Sequence, residues 1–231
     1  MTDYTLYYWP LPFRGQFVRA VLDHVHADWR EAGTAATHRL MTTAPDAQMV
    51  PHMGPPVLTD HALGLSLAQM PAILAHLGTK HGLTPATPAL AAQTTKLVAD
   101  AGDVLDEMTR HNGAQLWTPL DWQAYRPRLA RWMEIFEATG RRHGLRPEAG
   151  HLLGTGEPGL ADLAAHVLWG TMTAKFQALR SLLDATAPAI AGLCDRLAAR
   201  PEQAALRARS DAAYGEQWCG GQIEASLRAV L

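Results

Sequence analysis

Strand-forming stretches are confined to the first third of the chain, and this asymmetry limits the fold more than any other feature. Tyr4 to Trp9 is aromatic and β-prone, Ala27 to Arg30 reads as a short second strand, and Val57–Leu58 and Leu63 to Leu67 read as two more. From Ala89 onward only helical periodicity remains, over 89–112, 123–143, 160–183 and 188–200. The third of these stretches is expected to break or bend near Gly170. Shorter helices are predicted over 202–214 and 222–230, after a break at Cys219-Gly220-Gly221. Between the two regimes lies GTKHGLTPATP, residues 78–88, a linker by composition. The prediction is a two-domain α+β protein, with a small α/β domain over 1–80 and an all-helical domain over 88–231.

Within the first domain the chain opens as strand, irregular turn and helix. Pro10, Pro12 and Gly15 break the strand, and Phe17, Val18, Val21, Leu22 and Val25 then recur at helical spacing. Tyr8 therefore sits at a strand end facing a helix start. There its hydroxyl can reach a ligand held by free helix N–H groups. Residues 33–53 are polar and weakly periodic, which suits a loop with a short helix. Pro55-Pro56 forbids helix and favours an extended approach to Val57. Gln69 opens a helix running through Leu77, because Pro71 is tolerated only in a first turn.

Hydrophobic residues make up 48% of the 231 residues, enough for a sizeable core, and the formal net charge of -2 argues against nucleic acid or an acidic membrane as partner. Cys194 and Cys219 lie far apart without a CxxC, so neither a disulfide framework nor a dithiol site is expected. His24-x-His26 is the one tight histidine pair and lacks acidic or cysteine partners at ligand spacing, so no metal is expected. The N-terminus lacks a basic segment followed by an apolar run, and no apolar run is long enough to span a bilayer. The expected location is cytoplasmic.

Four groups of residues carry a resemblance to a known family. Tyr8-Trp9 is followed by Arg14-Gly15 and Arg19-Ala20-Val21-Leu22. Pro56-Val57-Leu58-Thr59-Asp60 comes next, then Gln69-Met70-Pro71-Ala72-Ile73-Leu74. In the helical half stand Gly159-Leu160-Ala161-Asp162-Leu163 and Leu197-Ala198-Ala199-Arg200-Pro201. In this order they resemble the cytosolic glutathione transferases over essentially the whole length, with an opening similar to the tyrosine-type mu and pi classes. The resemblance implies a thioredoxin-like first domain, a helical second domain and a homodimer. It also implies glutathione as co-substrate on the first domain and a small hydrophobic electrophile between the two.

Carried over residue by residue, the resemblance makes Tyr8 the donor that stabilises the glutathione thiolate, with Tyr7 as the competing residue. Arg14, Pro55, Pro56, Gln69 and Met70 fall at glutathione-binding positions, and Pro56 is the expected cis-proline, with Pro55 as the alternative. Three positions depart from the family pattern. Met70 replaces a Ser or Thr whose hydroxyl would bond the γ-glutamyl carboxylate. Pro55, ahead of a cis-Pro56, has no N–H for the cysteinyl part of glutathione. Gly159 replaces a Ser or Thr N-cap, a weaker cap opposite a structural Asp162. The aromatics Trp117, Trp122, Tyr125, Trp169 and Phe176 either line the hydrophobic pocket or pack helices. Met70 is also expected near a subunit seam. The leading function is glutathione transfer, and the alternative is a related ligand-binding or interaction protein with little or no activity.

Overall fold

The proline pair delivers the chain straight into a strand, and around that strand the first domain is built. The computed structural model describes residues 2–231. Strands β1 (Tyr4–Tyr7), β2 (Trp29–Glu31), β3 (Val57–Asp60) and β4 (Leu65–Ala68) form one sheet in the order β2-β1-β3-β4. β1 runs parallel to β2 and antiparallel to β3, and β3 runs antiparallel to β4. The helix α1 (Phe13–His24) crosses over between β1 and β2, as a parallel pair requires. It buries Phe17, Val18, Val21 and Leu22. α2 (Thr34–Thr42) is the short helix of the polar stretch, and α3 (Met70–Lys80) buries Ile73, Leu74 and Leu77. α3 runs three residues past its predicted end, and Gly78 within it lies against Leu160, where a Cβ would come within 2.7 Å of Cδ2.

All later elements are helical, apart from an isolated bridge between Arg146 and Ala149. They are α4 (Pro88–Met108), the irregular turn α5 (Arg110–Gly113), α6 (Pro119–Arg142), α7 (Leu160–Ala165), a π-helical segment His166–Thr171, α8 (Met172–Lys175), α9 (Gln177–Thr186), α10 (Pro188–Ala198), α11 (Pro201–Tyr214) and α12 (Gly221–Val230). The expected bend near Gly170 is the π-helical segment, and the helix then stops at Phe176, whose backbone is extended.

One hydrophobic core runs through both halves. α1 joins them. Its polar positions reach into the helical half, where Gln16 Nε2 donates to Ser210 Oγ at 3.0 Å and Gln203 Nε2 donates to the Ala20 carbonyl at 2.9 Å. Asp162, almost fully buried, accepts the N–H groups of Leu152 at 2.6 Å and Gly159 at 2.9 Å. It thereby supplies the link that a Ser or Thr at 159 would have shared.

Candidate functional site at one edge of the sheet

Register places the sequence-predicted residues together. Tyr7 pairs with Val57, and Val57 pairs with Ala68. The residues just outside these pairs are Tyr8, Pro56 and Gln69, so three adjacent strands deliver them to the same sheet edge. Tyr7 closes β1 as part of the ladder, while Tyr8 lies one residue beyond it.

The Tyr8 ring is 4% exposed and lies against Gly15 so closely that a Cβ there would come within 2.2 Å of its Cδ1. Its hydroxyl accepts the Arg14 N–H at 3.0 Å, at the start of α1. Thr37 Oγ1 on α2 donates to the Tyr8 carbonyl at 3.3 Å. Burial pushes the Tyr8 pKa up to about 12, against the smaller downward pull of Arg14 and Arg19. The phenol therefore keeps its proton at neutral pH. With a backbone N–H already occupying an acceptor lobe, that proton is what the group has left to give.

Arg19, on the buried face of α1, is a residue that the sequence reading left without a role. It is 2% exposed, and its Nε pairs with Glu31 at 2.6 Å. Its Nη1 donates to the Leu11 carbonyl at 2.8 Å and its Nη2 to that of Trp9 at 3.2 Å. The guanidinium also lies 5.5 Å from the Tyr8 ring centroid. It fixes the path of the loop from Trp9 to Pro12 between β1 and α1, and an arginine amid Phe17, Val18, Val21 and Leu22 was the signal in the sequence. Arg14 is half-buried, with its guanidinium 5.3 Å from the Phe13 ring centroid. No carboxylate among the described residues pairs with it.

The peptide bond between Pro55 and Pro56 is cis, the register favoured from sequence. Pro55 offers only its carbonyl there. Gln69 sits at the N-terminus of α3 with φ 72 and ψ 119, a strained backbone for a residue with a side chain. Its side chain is exposed and caps nothing. The free N–H groups of this first turn belong to Met70 and Ala72, since Pro71 has none. The Met70 side chain is 1% exposed and points into the core, so it offers a partner subunit no side-chain surface. Core packing above α3 claims that side chain, and only its backbone faces the site.

The helical half closes over the Trp9–Pro12 loop. The Phe13 N–H donates to the Trp218 carbonyl at 3.1 Å, and the two rings meet edge to face at 5.2 Å. Phe176 packs on the other side of Trp218 at 5.6 Å. Glu224 Oε2 fixes this segment by accepting the N–H groups of Trp218 at 2.8 Å, Cys219 at 2.9 Å and Gly220 at 2.6 Å. Of the other aromatics, Trp169 is fully buried against Phe136. Trp117, Trp122 and Tyr125 pack on one another at the start of α6, with ring centroids 5.1 to 6.1 Å apart.

His24 pairs with Glu202 at 3.0 Å, and no group of three or more His, Cys, Asp or Glu among the described residues is arranged to hold a metal ion. No helix among the described residues is long and apolar enough to cross a membrane.

Comparisons with known proteins agree with the fold described above. The family model described as the C-terminal domain of glutathione S-transferase matches residues 93–230. Among solved structures, that of NaGST-2 is similar, with a TM-score of 0.70 at 20% identity, covering 90% of this chain and 97% of that one. The pi-class glutathione S-transferase of Onchocerca volvulus is similar with a TM-score of 0.72 at 18% identity, covering 91% of this chain and 95% of that one. At such identities the likeness is one of fold. No curated protein matches the sequence.

Proposed function

Because this chain belongs to the glutathione S-transferase family, we propose that it conjugates the thiol of glutathione to a small hydrophobic electrophile, with Tyr8 as the thiolate-stabilising donor. The observation that carries this reading is the state of Tyr8: its hydroxyl accepts the Arg14 N–H, and burial keeps its own proton in place. A thiol at that sheet edge loses its proton to solvent, and the thiolate is stabilised by the phenol O–H. The sulfur lone pair then attacks the electrophilic carbon, the C–S bond forms, and the leaving group departs with its electron pair. As the negative charge leaves the sulfur, the phenol hydrogen bond weakens and the product is released.

Glutathione supplies two carboxylates to be held. The N–H groups of Met70 and Ala72, at the positive end of α3, suit the γ-glutamyl carboxylate. The unpaired Arg14 guanidinium beside Tyr8 suits the other one. The Pro55 carbonyl and the exposed Gln69 side chain complete the proposed binding set, with Pro56 shaping the backbone between them. The protein is proposed to act as a cytoplasmic homodimer.

Pro55 and Met70 favour a second reading. Each removes a hydrogen bond that the family's pattern supplies to glutathione, so the chain could retain the fold and bind ligands with little turnover. Titration calorimetry with glutathione, together with conjugation of 1-chloro-2,4-dinitrobenzene, separates the two. Binding with measurable conjugation supports transfer, whereas binding without conjugation, or no binding of glutathione at all, overturns transfer and supports the second reading.

A further inference from the structure

A cavity of about 280 Å³ lies in the helical half, against a different face of α1 from the one that packs on Tyr8. Its walls include Gln16 of α1, His166 and Gly170 of the π-helical segment, Cys194 of α10, and Leu206 and Ser210 of α11. We propose that this cavity is a second small-molecule site, separate from the sheet-edge site, that takes an uncharged, ring-sized ligand carrying a hydrogen-bond donor.

The backbone around it is built at a cost. Six residues, His166–Thr171, are π-helical, a geometry that is rare and that collects at functional positions. The wide turn puts both His166 and Gly170 on the cavity wall. Gly170 lets His166 and Cys194 pack close against the backbone of this wall, since a Cβ there would lie 3.0 Å from His166 Nδ1 and 3.5 Å from Cys194 Cβ.

The lining selects the chemistry. Lys175 is paired with Asp211 at 2.6 Å, and Arg180 with Asp195 at 2.7 Å and Asp184 at 2.9 Å. Arg207 adds a longer contact to Asp211 at 3.5 Å. A charged ligand would have to break one of these pairs to gain a partner. Gln16 and Ser210 already bond each other. His166 is different, because its Nδ1 is shut off from solvent and has no hydrogen-bond partner. Burial pushes the ring's pKa down to about 4, so the imidazole is neutral and one nitrogen is an open acceptor. Ligand binding requires the ring to turn about its outer torsion and bring that nitrogen to the cavity, where a ligand O–H or N–H would satisfy it. Burial also pushes the Cys194 thiol up to about 12, so the cavity holds no thiolate and the site binds without reacting. Cavities of about 150 Å³ accept a benzene ring, which makes a fused two-ring molecule the natural size here.

The test uses 2-naphthol as the probe, titrated into the full-length ¹⁵N-labelled protein, with amide and imidazole signals followed by NMR. The expected result is saturable shifts at Gly170, Thr171, Leu206 and the His166 ring nitrogens. 2-Methoxynaphthalene, which lacks the donor, and 2-naphthoate, which is charged, are expected to bind about tenfold more weakly or worse. Ala198→Leu and Ala174→Leu, which extend the wall into the cavity from two different helices, should each weaken 2-naphthol about tenfold. Tyr8→Phe should leave it unchanged. Shifts confined to the neighbourhood of Tyr8, equal affinity for the methyl ether, or indifference to both leucine variants would each overturn the proposal, as would the absence of any saturable shift. None of these results depends on whether the protein conjugates glutathione.

Discussion

At the scale of single residues, Tyr8 makes the most direct prediction. Tyr8→Phe keeps the ring on Gly15 and removes only the O–H. The helix-end and Arg14 contacts proposed for the rest of the tripeptide stay intact, so glutathione affinity should change little. The bound thiol loses a charge-assisted hydrogen bond worth about 1.5–3 kcal/mol, which lowers the thiolate population roughly ten- to a hundred-fold near neutral pH. The loss should shrink as pH rises, because the thiol then ionises unaided. Conjugation rates of both proteins from about pH 6 to 9 check this, and equal rates at low pH would remove Tyr8 from the mechanism and bring forward Tyr7 and Arg14. Gly15→Ala tests the position of the same ring. Its methyl would collide with Tyr8 Cδ1, so the ring must move from the Arg14 N–H. The expected outcome is a loss of turnover comparable to that of Tyr8→Phe, together with a stability loss of about 1–3 kcal/mol from overpacking that thermal melts would report. Tyr8 was legible because a strand, a break and a helix start can be read locally. The work of Arg19 was not, because the carbonyls of Trp9 and Leu11 turn toward it only once the loop has folded.

At the scale of elements, one carboxylate gathers three backbone N–H groups of the segment leading into α12. Glu224 is buried, which by itself would raise its pKa, yet three backbone N–H donors and Arg228 hold it below the usual 4.5. A folded value below the unfolded one stabilises the fold above the unfolded pKa, and this contribution fades as pH falls through the folded value. Glu224→Gln removes the charge while keeping a similar shape. It should cost about 1–3 kcal/mol near neutral pH. In denaturant unfolding, the gap between the two proteins should be constant above about pH 5 and close in acid. A gap that persists unchanged below the folded pKa would show that the carboxylate charge is not what holds Trp218 and Cys219. The existence of most helices could be read from apolar spacing, although α6 begins four residues before its predicted start, with Pro119 in its first turn. Two features could not be read in full. Gly170 marked the bend in the third stretch, but its π-helical geometry is set where the segment packs against α10, which no local pattern encodes. The left-handed run at Arg110, His111 and Asn112 involves no glycine, and its side-chain partners, Asp106 and Thr109, become apparent only in the fold.

At the scale of the whole molecule, the fold class could be read because strand and helix signals occupy separate parts of the chain. The alignment of Tyr8, Pro56 and Gln69 at one edge could not, since it depends on antiparallel registers between β1, β3 and β4. The surface then bears on assembly. On the first domain, Met49 and Met53 precede β3 and are 48% and 88% exposed. On the helical half, a groove of about 480 Å³ between α4 and α6 has Leu97 at its floor and Ile135 and Ala138 along its side, within a polar rim that includes Gln93, Lys96, Arg131, Glu134 and Arg142. For the homodimer proposed above, the exposed methionines projecting from one domain and this groove of the other are the surfaces put forward as the contact. In a two-fold dimer each is used twice, the projection of one protomer seating on the groove of its partner and the reverse. Such a pairing would close on itself and would cover the exposed methionines. Sedimentation at micromolar concentration should therefore give twice the 25.1 kDa chain mass. Met53→Asp places a charge on the projection and should shift the equilibrium to monomer by at least tenfold in dissociation constant, since an unpaired charge buried at an interface costs several kcal/mol. Met53 is so exposed that the substitution should leave the melting temperature of the monomer unaltered. A wild-type chain that sediments only at 25.1 kDa would remove the dimer, and a dimer indifferent to Met53→Asp would move its interface to another face.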